Sequence, residues 1–329
     1  MATLLLDRSD LEVRSIGDAL ALYENGSRSG TVPLKLVERM IIQGSRTRLD
    51  SAVLIKLAEA GASTLLLSPR ASRRVAIVLG PAHNDAAVRL AQGRRVTDEA
   101  FCTAWAHALV LAKLKRQHAL LVRAEQRRPD RRKALHDARE PLAGIVGRLT
   151  REAVGSLDCA SLRGLEGSAA RLYFQGLSAL FADSLGFTGR NRRPPRDPVN
   201  ACLSLAYTLL HFEAVRMAHV AGLDPLLGFY HRPAFGRESL ASDLIEPLRP
   251  WADEWVWQRF SSRELTDEHF SRDKSACLLG KAGRGRFYAA WERHAPAGRR
   301  WLRQRCSRLA RELRKEGEPW LIDADEEDF

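Results

Sequence analysis

Three short stretches of this 329-residue chain carry side chains whose types and spacing could hold a metal ion. The first is Gly164-Leu165-Glu166-Gly167-Ser168-Ala169-Ala170-Arg171-Leu172-Tyr173-Phe174, a glutamate early in an otherwise apolar helical pattern. Its small neighbours clear space around the carboxylate, as a metal ion and a DNA strand would require. The second is Gly228-Phe229-Tyr230-His231-Arg232-Pro233, a histidine on a loop framed by aromatics and stopped by a proline. In the third, Ser239-Leu240-Ala241-Ser242-Asp243-Leu244-Ile245-Glu246-Pro247-Leu248-Arg249-Pro250, Asp243 and Glu246 stand three apart. If that segment is helical, the two share a face and can approach one cation. Each stretch alone also has an ordinary reading: an exposed glutamate paired with an arginine, a hydrogen-bonded packing histidine, and an acid pair at a helix start.

Other chemistries find no support. Gly280-Lys281 lacks the preceding glycine spacing and the following hydroxyl residue of a phosphate-cradling loop. No Gly-x-Ser-x-Gly elbow, His-Glu-x-x-His helix or Cys-x-x-Cys pair occurs. The five cysteines (Cys102, Cys159, Cys202, Cys277, Cys306) are odd in number and widely spaced, which argues against a disulfide framework and a zinc site and for reduced thiols. With 45% hydrophobic and 28% charged residues the chain reads as a folded globular protein. Its apolar start is too short for a signal peptide, and no run of about 18 apolar residues occurs, so a cytoplasmic, non-membrane protein is expected. A net charge of +12 favours a polyanionic partner, nucleic acid or an anionic membrane, without choosing between them.

The elements that must position these residues fall into two classes. From 1 to about 80, short apolar runs alternate with turn residues, at 3–7, 11–15, 19–24, 32–42, 64–67 and 75–79. Asn25-Gly26-Ser27 marks a hairpin turn, and 51–60 reads as a helix between an Asp50 cap and a Gly61 stop. Past Gly80-Pro81 the apolar period changes from about 2 to about 3.6. Helices are expected at 97–126, 131–152, 161–184, 198–221 and 240–260, with a basic, Pro-rich loop over 187–197. The expected fold class is α+β: a small β-rich N-terminal domain at 1–80, a linker at 81–96, a larger all-α catalytic domain at 97–295, and at 296–329 a basic helical stretch (299–315) with an acidic end (323–328).

Taken together the three stretches resemble a known family. Glu-Gly-x-x-Ala-Arg-x-Tyr-Phe, then Gly-Phe-x-His, then Ser-Leu-Ala-x-Asp-Leu-x-Glu-Pro-x-Arg-Pro, in this order, look like the Cas-one integrases of CRISPR spacer acquisition. The intervening Arg196-Asp197-Pro198-Val199-Asn200-Ala201-Cys202-Leu203-Ser204-Leu205-Ala206-Tyr207 is similar to the family's segment at the same place, as is the β-rich beginning. The likeness is densest over 164–250 and weak through 85–155 and after about 295.

The resemblance implies that Glu166, His231 and Glu246 form a catalytic metal-binding triad, with Asp243 as a candidate further ligand. Two carboxylates and an imidazole suit Mg²⁺ or Mn²⁺ and leave positions for water and phosphate. The implied reaction is attack by the 3′-hydroxyl of a short DNA fragment on a phosphodiester at the border of a CRISPR repeat, with hydrolysis when water attacks instead. Arg171, Arg232, Arg237 and Arg249, in the motif segments, are candidates for phosphate contacts, or else for holding structural carboxylates. The implied partners are DNA, a second copy through the β-rich domain, and a small ferredoxin-like Cas-two protein. Competing readings are a transposon-borne integrase of the same family, a non-catalytic DNA-binding scaffold, and a repair nuclease acting on branched DNA.

Overall fold

The computed structural model describes residues 2–44, 46–81, 83–191, 194–273 and 276–321. The alternating N-terminal runs form β1 (Ala2–Leu6), β2 (Leu11–Ile16), β3 (Ala19–Glu24), β4 (Ser27–Pro33), β5 (Val37–Ile42), β6 (Thr47–Leu49), β7 (Ser63–Leu67) and β8 (Arg74–Val78), with α1 (Ser51–Glu59) between β6 and β7. Asn25 and Gly26 both take positive φ and turn β3 into β4, as an Asn-Gly hairpin does. The apolar run over 32–42 is two strands rather than one, because Pro33 ends β4 and a 3₁₀ turn, Leu34–Leu36, leads into β5.

Two four-stranded sheets result, ordered β4-β3-β2-β6 and β1-β5-β7-β8. The second sheet is covered on both faces, and residue alternation sorts its side chains. Met40 and Ile42 enter a small core with Leu6, Val13, Leu20, Val53 and Leu57, while Ile41, Leu65 and Leu67 join the large core of the helices.

The helices are α2 (Ala86–Thr97), α3 (Glu99–Arg127), α4 (Arg132–Arg151), α5 (Cys159–Ser178), α6 (Pro198–Val220), α7 (Ser239–Ile245), α8 (Arg249–Ser261) and α9 (Lys281–Gly317). Aspartates 98, 158 and 197 cap α3, α5 and α6 by accepting from backbone N–H groups in the first turn. Three expected boundaries change. The stretch read as a linker, 81–96, is mostly α2, whose Ala87, Val88 and Ala91 are buried. The single helix expected over 240–260 is α7, a 3₁₀ turn (Glu246–Leu248) and α8, because Pro247 and Pro250 each sit at a helical start and supply no N–H. The basic stretch from Arg299 is the second half of the 37-residue α9, which runs through Pro296. The helical part also carries a two-stranded hairpin, β9 (Phe270–Asp273) with β10 (Ala276–Leu279).

Charged groups bind sheet to helices. Buried Arg39 on β5 donates to buried Glu213 on α6, and Arg299 on α9 meets the same carboxylate at 3.1 Å and Glu292 at 2.6 Å. Such a buried carboxylate is tolerated because three cations surround it, the third being Arg216 at 3.3 Å. Arg284 pairs with Asp7 at 2.9 Å, and the Tyr288 hydroxyl donates to Gln43 Oε1 at 2.8 Å. The cysteines are free, all but Cys159 buried. No helix among the described residues is long and apolar enough to cross a membrane. Residues 192, 193 and 322–329, within the expected basic loop and acidic end, lie outside the described residues.

Candidate active site

Glu166 stands two turns into α5, with its carboxylate facing α3. A Cβ added at Gly164 or Gly167 would meet nothing within 4 Å, so the flank of the carboxylate is open. Glu246 opens the 3₁₀ turn between α7 and α8 and is buried. The two carboxylates, 80 positions apart in sequence, converge on one ammonium: Lys113 Nζ lies 2.5 Å from Glu166 Oε1 and 2.6 Å from Glu246 Oε2. Lys113, in the middle of α3, has no counterpart in the motifs read from sequence. Burial opposes its charge, but Glu246 and Glu166 outweigh that and raise its pKa above the ordinary lysine value.

Glu246 is held as an anion. Burial alone would raise its pKa, yet Arg249, 2.8 Å from Oε1, and Lys113 prevail and lower it to about 2. Its Oε2 is buried with no well-angled hydrogen bond and meets only the Lys113 ammonium. The second Glu166 oxygen accepts from the Tyr230 hydroxyl at 2.5 Å. Burial first, and the Glu166 charge next, raise the pKa of that phenol, so it stays a donor.

Asp243 is turned to the backbone of the His231 loop. Oδ2 accepts from the N–H groups of Phe229 and Tyr230 at 2.8 and 2.9 Å. Oδ1 accepts from the N–H of His231 at 2.9 Å and faces its Nδ1 at 2.6 Å. These contacts make Asp243 a holder of the histidine loop. Nδ1 facing Asp243 leaves Nε2 as the ring nitrogen turned away from it, the arrangement usual for a metal-bound histidine. Gly228 makes the loop's close approach to α7 feasible: a Cβ there would fall 2.5 Å from the Ser239 carbonyl carbon and 2.7 Å from Leu240 N. On the metal-dependent DNA joining that the sequence resemblance implies, an Asp243→Asn variant should join DNA roughly 10- to 100-fold more slowly at limiting Mn²⁺. Initial rates across a Mn²⁺ titration read this out, and a change below twofold would count against the assignment.

Among the described residues no three acidic, histidine or cysteine side chains stand close enough to cage an ion as they are placed. The donor set nonetheless fits a divalent cation of the Mg²⁺ or Mn²⁺ kind: an anionic Glu246 whose buried Oε2 already faces a cation, a second carboxylate on an open flank, and an imidazole nitrogen. Such an ion would share or displace the position that the Lys113 ammonium holds.

The candidate phosphate-contacting arginines divide into two pairs. Arg249 is committed to Glu246 and lies over the Tyr207 ring at 4.5 Å, and Arg232 pairs with Glu99 at 2.5 Å and donates to the Val96 carbonyl at 2.9 Å. Arg171 and Arg237 are exposed and make no ion pair among the described residues.

Behind Arg249, the Tyr173 hydroxyl donates to Asp253 Oδ2 at 2.7 Å, and Tyr207 donates to Oδ1. Burial raises the Asp253 pKa from 3.8 to about 6, against these donors and Arg249. The folded chain thus keeps this proton longer than the unfolded chain. The stabilisation is complete below pH ~4, fades as pH rises to ~6, and is absent above, a swing of at most about 3 kcal/mol. An Asp253→Asn variant should lose that part of the pH dependence, so that urea unfolding at pH 4.5 and 7.5 differs less for the variant than for the parent.

Comparison with known proteins follows the same lines. The sequence pattern of the family described as CRISPR associated protein Cas1 matches residues 4–293. The CRISPR-associated endonuclease Cas1 of Thermodesulfovibrio yellowstonii is 35% identical over 319 residues, 96% of this chain and 98% of that protein. Among solved structures, a casposase bound to its integration product superposes with a TM-score of 0.82 over 100% of this chain and 94% of that one, at 20% identity. A chain of a Cas6-RT-Cas1–Cas2 complex superposes at 0.79 and 22% identity, over 96% of this chain and 35% of that longer one. These two likenesses speak for the fold; the family pattern and the 35% identity go further. A match over nearly the whole chain, with all three motif stretches inside it, makes this chain a member of the CRISPR-associated Cas1 family.

Proposed function

We propose that this Cas1-family endonuclease/integrase is a metal-dependent DNA-joining enzyme of CRISPR adaptation, with Glu166, His231 and Glu246 as its metal-holding and catalytic residues. The observation that carries the reading is the convergence of Glu166 and Glu246 on one cation position, beside a histidine whose Nδ1 is fixed by Asp243. A bound divalent ion would supply charge stabilisation at the phosphate's non-bridging oxygens and lower the pKa of the attacking hydroxyl. In the joining step the 3′-oxygen of a short fragment forms a bond to phosphorus as the bond to the target strand's 3′-oxygen breaks. The proton of the attacking hydroxyl leaves to solvent, and the departing oxygen takes one up. One phosphodiester replaces another, so no nucleotide cofactor is needed. With water as the attacker the same site cleaves.

Within this scheme Asp243 orients His231, Tyr230 holds Glu166, and Arg249 keeps Glu246 ionised. Arg171 and Arg237, exposed and without an ion pair among the described residues, suit the contacts with phosphate better than Arg232 or Arg249. DNA, a second copy joined through the β-rich part, and a Cas2 protein are the partners this reading requires, the last supported by the Cas1–Cas2 assembly of the longer relative. The casposase likeness keeps a transposon-borne integrase in view, but at 20% identity it speaks for fold, whereas the 35% relative is a CRISPR-associated endonuclease. An adjacent repeat array in the genome separates the two.

The test incubates the purified chain with a short duplex and a supercoiled plasmid carrying the neighbouring repeat, in Mn²⁺ or Mg²⁺ or in chelator, with and without the Cas2 partner. Joined product that requires the metal and a free 3′-hydroxyl on the fragment supports the reading. DNA binding with neither joining nor nicking under any condition would make the chain a scaffold.

A further inference from the structure

The segment after His231 forms a small projection. Ser239 Oγ donates to the Arg232 carbonyl at 3.1 Å and closes its base, an isolated bridge pairs Ala234 with Arg237, and the Arg237 N–H donates to the Ala234 carbonyl at 3.2 Å. The tip is Phe235-Gly236, with Gly236 at φ 68°, the left-handed value that a tight turn of this kind demands of its second tip residue. Residues 233–237 are exposed, and the Phe235 ring is wholly so, at 107% relative accessibility. Among the exposed apolar side chains of the described residues, Phe235 is the one whose ring is wholly free and stands on a turn after the histidine, where a planar ligand could stack on it.

The surroundings say which kind. The neighbours are Pro233, Ala234, Gly236 and Arg237, too few apolar atoms to make the extended patch a protein interface buries. Arg237 beside the ring makes no ion pair among the described residues, and Arg232 lies at the base. An exposed ring on a turn that also carries an exposed arginine, Arg237, is a pattern that can receive an unpaired nucleobase, the ring stacking on the base while the cation meets the backbone. Phe235 is four positions beyond His231, a reach of at most about 14 Å. At 3.4 Å of rise per nucleotide that covers roughly four base steps from a phosphodiester at the site.

We propose that Phe235 is a stacking platform for an unpaired base next to the phosphodiester under attack. The inference rests on the proposed DNA-joining function and adds a substrate-positioning residue to it.

The experiment compares the full chain with Phe235→Ala, Phe235→Leu and Phe235→Trp, measuring fluorescence anisotropy of a labelled duplex with a single-stranded 3′ extension and of a blunt duplex. Alanine is expected to weaken binding to the extended duplex roughly five- to a hundredfold and to leave the blunt duplex nearly unchanged. Tryptophan should keep the affinity and show quenched emission on binding, and leucine should behave as alanine does. Equal binding by the alanine variant, rescue by leucine, or an equal loss on both duplexes would overturn the proposal. Wild-type joining with an unaffected alanine variant sinks the platform alone, whereas a parent chain that binds neither duplex sinks the DNA-joining reading with it.

Discussion

A His231→Ala variant is expected to fold and bind DNA as the parent does, and to join and nick roughly 10²- to 10⁴-fold more slowly in Mn²⁺. The side chain is only partly buried and its loop is held by the backbone, through the three N–H groups that Asp243 receives. Alanine keeps all three and removes only the imidazole, so the loss isolates what the ring does. Circular dichroism and DNA affinity serve as the controls, and joining rate is the readout. Undiminished joining in a well-folded variant would remove the histidine from the chemistry and the triad with it.

Lys113→Met should give the largest shift in stability. Methionine keeps the length of the side chain and removes the ammonium, which leaves Glu166 with Tyr230 alone and Glu246 with Arg249 alone. Breaking one partner out of a buried ionic group costs about 3–5 kcal/mol, so the variant in chelator should melt well below the parent. Mn²⁺ should then raise its melting midpoint more than the parent's, because the ion no longer shares its position with a fixed positive charge; an apparent affinity tenfold tighter or more is expected. Thermal unfolding across a Mn²⁺ titration measures both effects. A variant that melts like the parent in chelator, or that gains no more from Mn²⁺ than the parent does, would show that Lys113 does not share the cation position.

The same residue marks the limit of what the chain discloses before it folds. Glu166, His231 and Glu246 are distinctive only by their neighbours, each with an ordinary reading of its own, and they become a set only through the resemblance of the three stretches to one family. Lys113 lies in Leu111-Ala112-Lys113-Leu114-Lys115-Arg116, where any cation reads as the wet side of an amphipathic helix, and its partners lie 53 and 133 positions away. Arg39 is concealed in the same manner, a polar position in a strand that becomes buried only because Glu213 and the α9 arginine surround it. The role of Asp243 was half legible: its nearness to Glu246 was read as shared ligation, but the helix stops at Ile245 and the aspartate turns to the backbone of the His231 loop. Strands and turns emerged from alternation and Asn-Gly, while α2 escaped because its apolar face is made of small residues that carry little hydrophobic signal.

The cluster of Glu213 with Arg39, Arg216 and Arg299 has a mechanical side. It fastens a sheet strand to two helices at a point where Ile41 and the core leave little room to shear, so the N-terminal sheets and the helical body should turn together, without a hinge.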